Sequence, residues 1–178
     1  MLIPGQIISI ATFPGVIMHE LSHVICCRIF DIEVKEVCYF KLGNPSGYVL
    51  HEPTKNWIHT VAIATGPFFF NSLICLLISF PIVTNKDIDE LTFSSSILLW
   101  LAISIGMHAI PSRGDAKSMW QEVSGKRGSI FAKLFVAPIV AVIYLLSLGS
   151  IIWLDLIYGV ILSTLVPMKL LELIFKVQ

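Results

Sequence analysis

Two histidines four residues apart, with a glutamate beside the first, are the side chains of this sequence best suited to chemistry. His19-Glu20-Leu21-Ser22-His23 is an HExxH motif. Residues i and i+4 of an α-helix lie on one face, so both imidazoles can bind one zinc ion. Glu20, next to the first ligand, can accept a proton from a water molecule that the metal activates. The spacing therefore predicts a hydrolytic metal site with His19 and His23 as ligands and Glu20 as the catalytic base.

The composition indicates that this motif lies in a membrane protein. Of the 178 residues, 56% are hydrophobic and 13% are charged, whereas a soluble domain carries about 25% charged residues. So few charges hardly form a polar surface, which excludes an ordinary soluble enzyme, a disordered chain and a basic nucleic-acid-binding protein. Polar side chains within one turn of a membrane helix are costly unless they are satisfied, so a bound metal explains the motif better than coincidence does.

Charge-free runs predict an all-α polytopic membrane protein with about five transmembrane helices, or four as the alternative. A crossing takes about 20 apolar residues. We expect the first to be a kinked helix from about Gln6 to Phe30, with Pro14 opening its second half. The next two are expected at about 57–83 and 92–110, and Gly149-Ser150 is expected to divide the apolar run 134–168 into the last two. We expect one membrane-embedded domain over 1–178, with a catalytic core at about 6–120 and two further helices at about 131–175.

A small β-hairpin is predicted between the first two crossings. Its strands are expected within Ile32–Leu42 and Gly47–His51, which are enriched in β-branched and aromatic residues. They flank Gly43-Asn44-Pro45-Ser46, a sequence typical of a turn.

Basic residues predict the orientation in the membrane. They concentrate in two segments that hold Arg28, Lys35, Lys41 and Lys55 in one and Arg113, Lys117, Lys126, Arg127 and Lys133 in the other. By the positive-inside rule both segments face the cytoplasm. The N-terminus is then outside, and the metal motif lies toward the cytoplasmic side.

A catalytic zinc ion needs a third protein ligand and an open position for water. Asp115 is the best candidate, because it follows the third crossing, whose inner end lies in the same leaflet as the two histidines. Pro111 and Gly114 allow the chain to bend there. The other candidates are His108, His59, His51 and Glu52. The alternative for Asp115 is a solvated acid that pairs with Arg113 or Lys117.

The span from about Pro14 to Ala116 resembles the site-2 proteases, a family of intramembrane zinc metalloproteases. HExxH in the first core helix is the most specific element of the resemblance. Gly66-Pro67 followed by Asn71 is similar to the family's Gly-Pro and Asn in the next helix, although Asn71 lies one position further along. His108–Asp115 is similar to the family's Asn-x-x-Pro…Asp-Gly segment, with His108 in place of Asn and Ala116 in place of Gly. The hairpin resembles the one that is thought to receive substrate by strand addition.

The resemblance implies hydrolysis of a peptide bond in a membrane-anchored protein substrate, by a compact form without a PDZ or CBS domain. One Zn²⁺ would be held by His19, His23 and Asp115, with Glu20 as base. The residues expected to contact substrate are Asn71, His108, Asn44 and Tyr48. The expected partners are the substrate and the lipid bilayer, with no nucleic acid.

Two other classes of function stay open from the sequence. A catalytically silent zinc-binding membrane scaffold or regulator would keep the two histidines without needing Glu20. A metal transporter would also place His and Asp in the membrane, but transporters usually have paired internal repeats, and none is evident here.

Overall fold

The fold is given by a computed structural model that describes residues 5–54, 56–84, 92–125 and 129–176. Its α-helices are α1 (Gly5–Ala11), α2 (Phe13–Ile29), α3 (Trp57–Thr84), α4 (Phe93–Met107), α5 (Arg113–Ser124), α6 (Ile130–Gly149), α7 (Leu154–Ser163) and α8 (Leu165–Lys176). The strands are β1 (Val34–Cys38) and β2 (Tyr48–His51), and a short 3₁₀ turn covers Ser150–Ile152. The predicted mostly helical membrane protein with a hairpin between its early helices is confirmed.

Three stretches of helix are long and apolar enough to cross a bilayer: Trp57–Val83, Ile130–Ile152 and Leu154–Ile174. α1 and α2 make a fourth if the bent pair is one span. α4, on the predicted crossing at 92–110, is apolar but has only 15 residues. At 1.5 Å per residue it extends over about 22 Å, less than the hydrocarbon thickness of about 30 Å. The described residues therefore contain three or four candidate spans, which favours the alternative of four over five.

The predicted kink in the first helix is a sharp break. α1 and α2 meet at an angle of 87°, and Pro14 lies in the first turn of α2. Proline lacks an N–H and its ring clashes with the preceding turn, so it favours the start of a new helix at this position. Ser104 of α4 covers the break, because its hydroxyl donates to the Thr12 carbonyl at 2.9 Å and accepts the Gly15 N–H at 2.9 Å. Backbone polar groups at the break are thus satisfied within the apolar helices, as a bilayer requires.

β1 and β2 form the predicted antiparallel hairpin, in which Cys38 lies opposite Tyr48 and Val37 opposite Val49. The hairpin packs on α2. Gly47, at the start of its second arm, lies against the Glu20 side chain: a Cβ there would be 2.8 Å from Glu20 Oε1. The hairpin therefore covers the metal motif directly.

The basic segment after α4, which the sequence led us to treat as a loop, contains the amphipathic helix α5. Its N-terminus is a capping box: Ser112 Oγ accepts the Asp115 N–H at 3.1 Å, and Asp115 Oδ2 accepts the Ser112 N–H at 2.6 Å. The apolar face of α5 packs on α6 and on the first turns of α3 through a cluster of Ala64, Ala116, Met119, Val123, Ala132, Val136 and Ile143. This packing fixes the start of α5, and with it Asp115, beside α2.

The break between α6 and α7 lies where the sequence predicts it, at Gly149-Ser150. α6 ends at Gly149, and the chain turns through Ser150–Ile152 into α7. α7 packs closely on α4, since a Cβ on Gly159 would lie 2.8 Å from the backbone nitrogen of Met107. α6 and α7 thus contact different neighbours, α5 and α4 respectively.

Candidate metal centre

Three side chains from two distant parts of the chain meet at the N-terminus of α5. His19 Nε2 lies 3.4 Å from Asp115 Oδ2, and His23 Nε2 lies 3.3 Å from Asp115 Oδ1. The two Nε2 atoms are 3.3 Å apart, and both histidines are buried. Within the described ranges, these residues form the one group of three or more His, Cys, Asp or Glu side chains arranged to hold a metal ion.

Backbone carbonyls fix the orientation of both imidazoles. The carbonyl oxygen of His108 lies 2.7 Å from His19 Nδ1, and that of Ile63 lies 2.8 Å from His23 Nδ1. A carbonyl oxygen can only accept a hydrogen bond, so each Nδ1 carries the hydrogen and donates it. In the neutral tautomer each Nε2 then keeps a free lone pair, which faces the other Nε2 and the carboxylate of Asp115. Such a bond on the far nitrogen is the usual orienting partner of a metal-binding histidine.

The three side chains lie close enough together to share one metal ion. The two Nε2 atoms are 3.3 Å apart, and they lie 3.4 and 3.3 Å from different oxygens of the Asp115 carboxylate. Zinc–nitrogen bonds of about 2.0–2.1 Å at a tetrahedral angle place two ligand atoms about 3.3–3.4 Å apart, which is the spacing of the two Nε2 atoms. Lone pairs facing one another at this range are stabilised by a cation or a proton between them. The group could therefore hold a metal ion by three protein ligands.

Asp115 supplies its carboxylate in ionised form. Burial alone would raise the pKa of this carboxyl, but without a metal ion the attraction of His23 and His19, when their rings are protonated and donate from Nε2, holds that pKa well below its usual range. Oδ2 also accepts the Ser112 N–H of the capping box. The carboxylate is therefore oriented by its own helix terminus as well as by the histidines, which is the geometry that a ligand requires.

Glu20 is 8% exposed and lines both cavities that adjoin the metal group. The smaller cavity, of about 200 Å³, extends from His23 and Asp115 along β2. The larger, of about 600 Å³, extends from His19 past the hairpin turn and the end of α4. Glu20 thus lies between two spaces that could admit water or a polypeptide.

The other candidate ligands lie outside the metal group. His108 contributes its carbonyl oxygen, while its ring Nδ1 donates to the Ser104 carbonyl at 3.0 Å. His59 stacks on Phe30, with ring centroids 4.4 Å apart. His51 donates from Nδ1 to a backbone carbonyl at 2.8 Å. Glu52 pairs with Lys35 at 2.8 Å.

The four residues expected to contact substrate occupy different environments. Asn44 and His108 line the larger cavity and Tyr48 lines the smaller. Tyr48 donates its hydroxyl to Glu36. Asn71 is fully buried and lines neither of these cavities. Its Oδ1 accepts a hydrogen bond from the Ser22 hydroxyl at 2.8 Å, and its Nδ2 donates to the His108 carbonyl at 3.1 Å. Its amide therefore holds the same carbonyl that orients His19.

Several residues of the site were missed by reading the sequence. Ser112 forms the capping box with Asp115, and the Ser-x-x-Asp spacing is a signal that could have revealed it. Glu122 of α5 lines the smaller cavity, and Asp155 of α7 lines the larger. No local sequence pattern indicates a role for Glu122 or Asp155, because both reach the cavities only through the packing of distant helices.

Comparison of the chain with protein-family models, with curated proteins and with solved structures finds no match.

Proposed function

We propose that this protein is an intramembrane zinc metalloprotease that hydrolyses a peptide bond of a membrane-anchored protein substrate near the cytoplasmic leaflet. The observation that carries the proposal is the group of two Nε2 atoms and one carboxylate at 3.3–3.4 Å, with an acid next in sequence to the first ligand. Two histidines and one carboxylate are a usual ligand set of catalytic zinc in peptidases.

Zn²⁺ bound here supplies Lewis acidity, which lets a water molecule ionise near neutral pH and polarises the scissile carbonyl. Glu20 accepts the proton of the attacking water and then donates it to the leaving amine. The carbonyls of His108 and Ile63 hold the two imidazole rings so that each Nε2 would be available to a bound ion. His108 lines the larger cavity, where its ring is a candidate contact for substrate.

The substrate must present an extended backbone, because a membrane helix hides its carbonyls in intrahelical hydrogen bonds. β2 lines the cavity that holds Glu20, His23 and Asp115. A substrate segment that adds to this edge of the hairpin would be held extended beside the metal group.

Glu20→Gln tests the mechanism. We expect the variant to keep one equivalent of zinc, because the three ligands are intact. Cleavage of a transmembrane peptide in proteoliposomes should fall about 10²–10⁴-fold, the usual contribution of a catalytic acid–base group. The measurements are zinc content and cleavage rate. Persistent cleavage contradicts the mechanism.

Two further variants serve as references for that experiment. His23→Ala removes a ligand and should lose both zinc and cleavage. Glu52→Gln makes the same charge change on the hairpin, outside both cavities. This variant should keep its zinc and its cleavage activity. Zinc without cleavage in the wild type would favour a silent scaffold, and metal flux into proteoliposomes without proteolysis would favour a transporter.

A further inference from the structure

The smaller cavity beside the metal group has a polar end that the proposed hydrolysis does not use. One end is formed by Glu20, His23 and Asp115, and β2 runs along one wall. Away from the metal group the lining includes Thr60 of α3 and Glu122 of α5. The cavity volume is about 200 Å³, enough for one long side chain.

Glu122 is held in place by hydroxyl groups. Its Oε2 accepts a hydrogen bond from Thr60 Oγ1 at 2.9 Å, and Thr54 Oγ1, 3.2 Å from the same oxygen, donates either to it or to Thr60. The two threonine hydroxyls also contact each other. Hydrogen bonds to a carboxylate are stronger than those to a neutral acceptor. Glu122 is thus a pre-oriented carboxylate that lines the cavity.

The apolar residues that line the same cavity indicate which type of side chain could bind there. Val49, Ile63, Ala64 and Met119 also line it. Along α5, Met119 lies one turn after Asp115 and about one turn before Glu122, so apolar surface separates the metal group from Glu122. A side chain with an apolar stem and a cationic tip matches this order of surfaces, since lysine and arginine bury their stems while the charge reaches a polar partner.

We propose that this cavity is a specificity subsite for a lysine or arginine side chain of the substrate, with Glu122 as its anionic partner. The inference rests on the proposed function, because it concerns a residue that flanks the cleaved bond. Membrane helices carry their excess of Lys and Arg on the cytoplasmic side. A substrate unwound at that boundary would bring such a residue to the cavity while its apolar segment stays in lipid.

The test compares transmembrane peptides of one sequence that carry either lysine or methionine at single positions on both sides of the cleaved bond. At one of these positions, the wild type should cleave the lysine peptide with a kcat/KM about 10- to 100-fold higher, as expected for a hydrogen-bonded charge pair. Glu122→Gln should abolish that preference, so that the lysine and methionine peptides are cleaved with equal kcat/KM. The substituted amide still offers an oxygen to the threonine hydroxyls, so the fold should be kept.

Glu52→Gln is the matched control, because it removes the same charge from the hairpin outside the cavity. It should keep the lysine preference. If Glu122→Gln prefers the lysine peptide as strongly as the wild type does, the proposed subsite is wrong. It is also wrong if the wild type shows no preference for the lysine peptide.

A binding measurement separates failure of the subsite from failure of the proposed function. The same peptides are titrated against zinc-loaded Glu20→Gln protein and against Glu20→Gln combined with Glu122→Gln. Tighter binding of the lysine peptide, lost in the double variant, supports the subsite even if no cleavage is ever seen. Equal binding of the lysine and methionine peptides contradicts it.

Discussion

The carbonyl oxygen of His108 accepts hydrogen bonds from His19 Nδ1 at 2.7 Å and from Asn71 Nδ2 at 3.1 Å. A carbonyl oxygen has two lone pairs, and both are used here. Asn71 is in turn held by the Ser22 hydroxyl at 2.8 Å. Asn71 therefore acts on the metal group through His108, as a positioning residue for the ring of His19.

Asn71→Leu should weaken metal binding about 10- to 100-fold, the usual effect of losing an orienting partner of a ligand. The leucine has the same branched shape and number of heavy atoms but cannot donate to the carbonyl, so His19 is less firmly oriented. The measurement is zinc affinity in detergent, together with the visible spectrum of the protein saturated with Co²⁺, which reports ligand geometry directly.

Ser79→Ala provides the comparison for Asn71→Leu. Ser79 is also fully buried in α3, but its hydroxyl bonds only to carbonyls of its own helix. The zinc affinity and Co²⁺ spectrum of the Ser79→Ala protein should match those of the wild type. An Asn71→Leu protein with unchanged affinity and spectrum would show that Asn71 does not position His19.

At the scale of elements, the metal group depends on how closely α2 approaches α4. Gly15 makes this approach possible: a Cβ there would lie 2.0 Å from the Ser104 carbonyl oxygen and 2.7 Å from His108 Nδ1. Both neighbours belong to α4 or its end, and His19 lies one turn further along α2. Any displacement at Gly15 therefore separates His19 from the carbonyl that orients it.

Gly15→Ala should destabilise the protein by about 1–3 kcal/mol, as overpacking usually does, and reduce its zinc content. The measurements are thermal unfolding in detergent and metal analysis. Gly5→Ala is the reference, because no atom lies within 4 Å of a Cβ at that position. Equal stability and zinc content in the two variants would contradict the close contact of α2 with α4.

At the scale of the whole molecule, the hairpin, the metal group and α5 lie toward one end of the helices. His108, at the end of α4, contacts His19, whereas the start of α4 lies a full helix length away. Thr60 near the start of α3 contacts Glu122 near the end of α5. The described parts of the two basic segments, with Lys35 and Lys41 in one and Arg113 and Lys117 in the other, therefore lie toward the same end of the helices.

Labelling with a membrane-impermeant thiol reagent tests the orientation that we infer from this arrangement. In a Cys38→Ser background, which leaves only buried cysteines, intact cells should label Ser94→Cys but not Gly43→Cys or Gln121→Cys. Permeabilised cells should label all three. Labelling of the last two in intact cells would place the metal group on the outer side.

Local spacing explains why part of this fold could be predicted. The HExxH pair depends only on helical periodicity, and the hairpin depends only on turn residues between β-prone segments. Asp115 was predicted from membrane depth, which follows from the positions of charge-free runs. α5 was missed because its mixed composition resembles a loop, although the Ser112 capping signal was present.

The sequence by itself determined the membrane character, the pairing of His19 and His23 on one helix face and the end of the fold at which Asp115 was expected, because these depend on hydropathy and helical period. Tertiary structure alone decided that Asp115 meets both Nε2 atoms and that His108 contributes its backbone rather than its ring. It also decided that Asn71 supports the site from behind and that Glu122 and Asp155 line the adjoining cavities. These contacts join residues far apart in the chain, and their distances depend on how α2, α4, α5 and α7 pack, which no local pattern encodes.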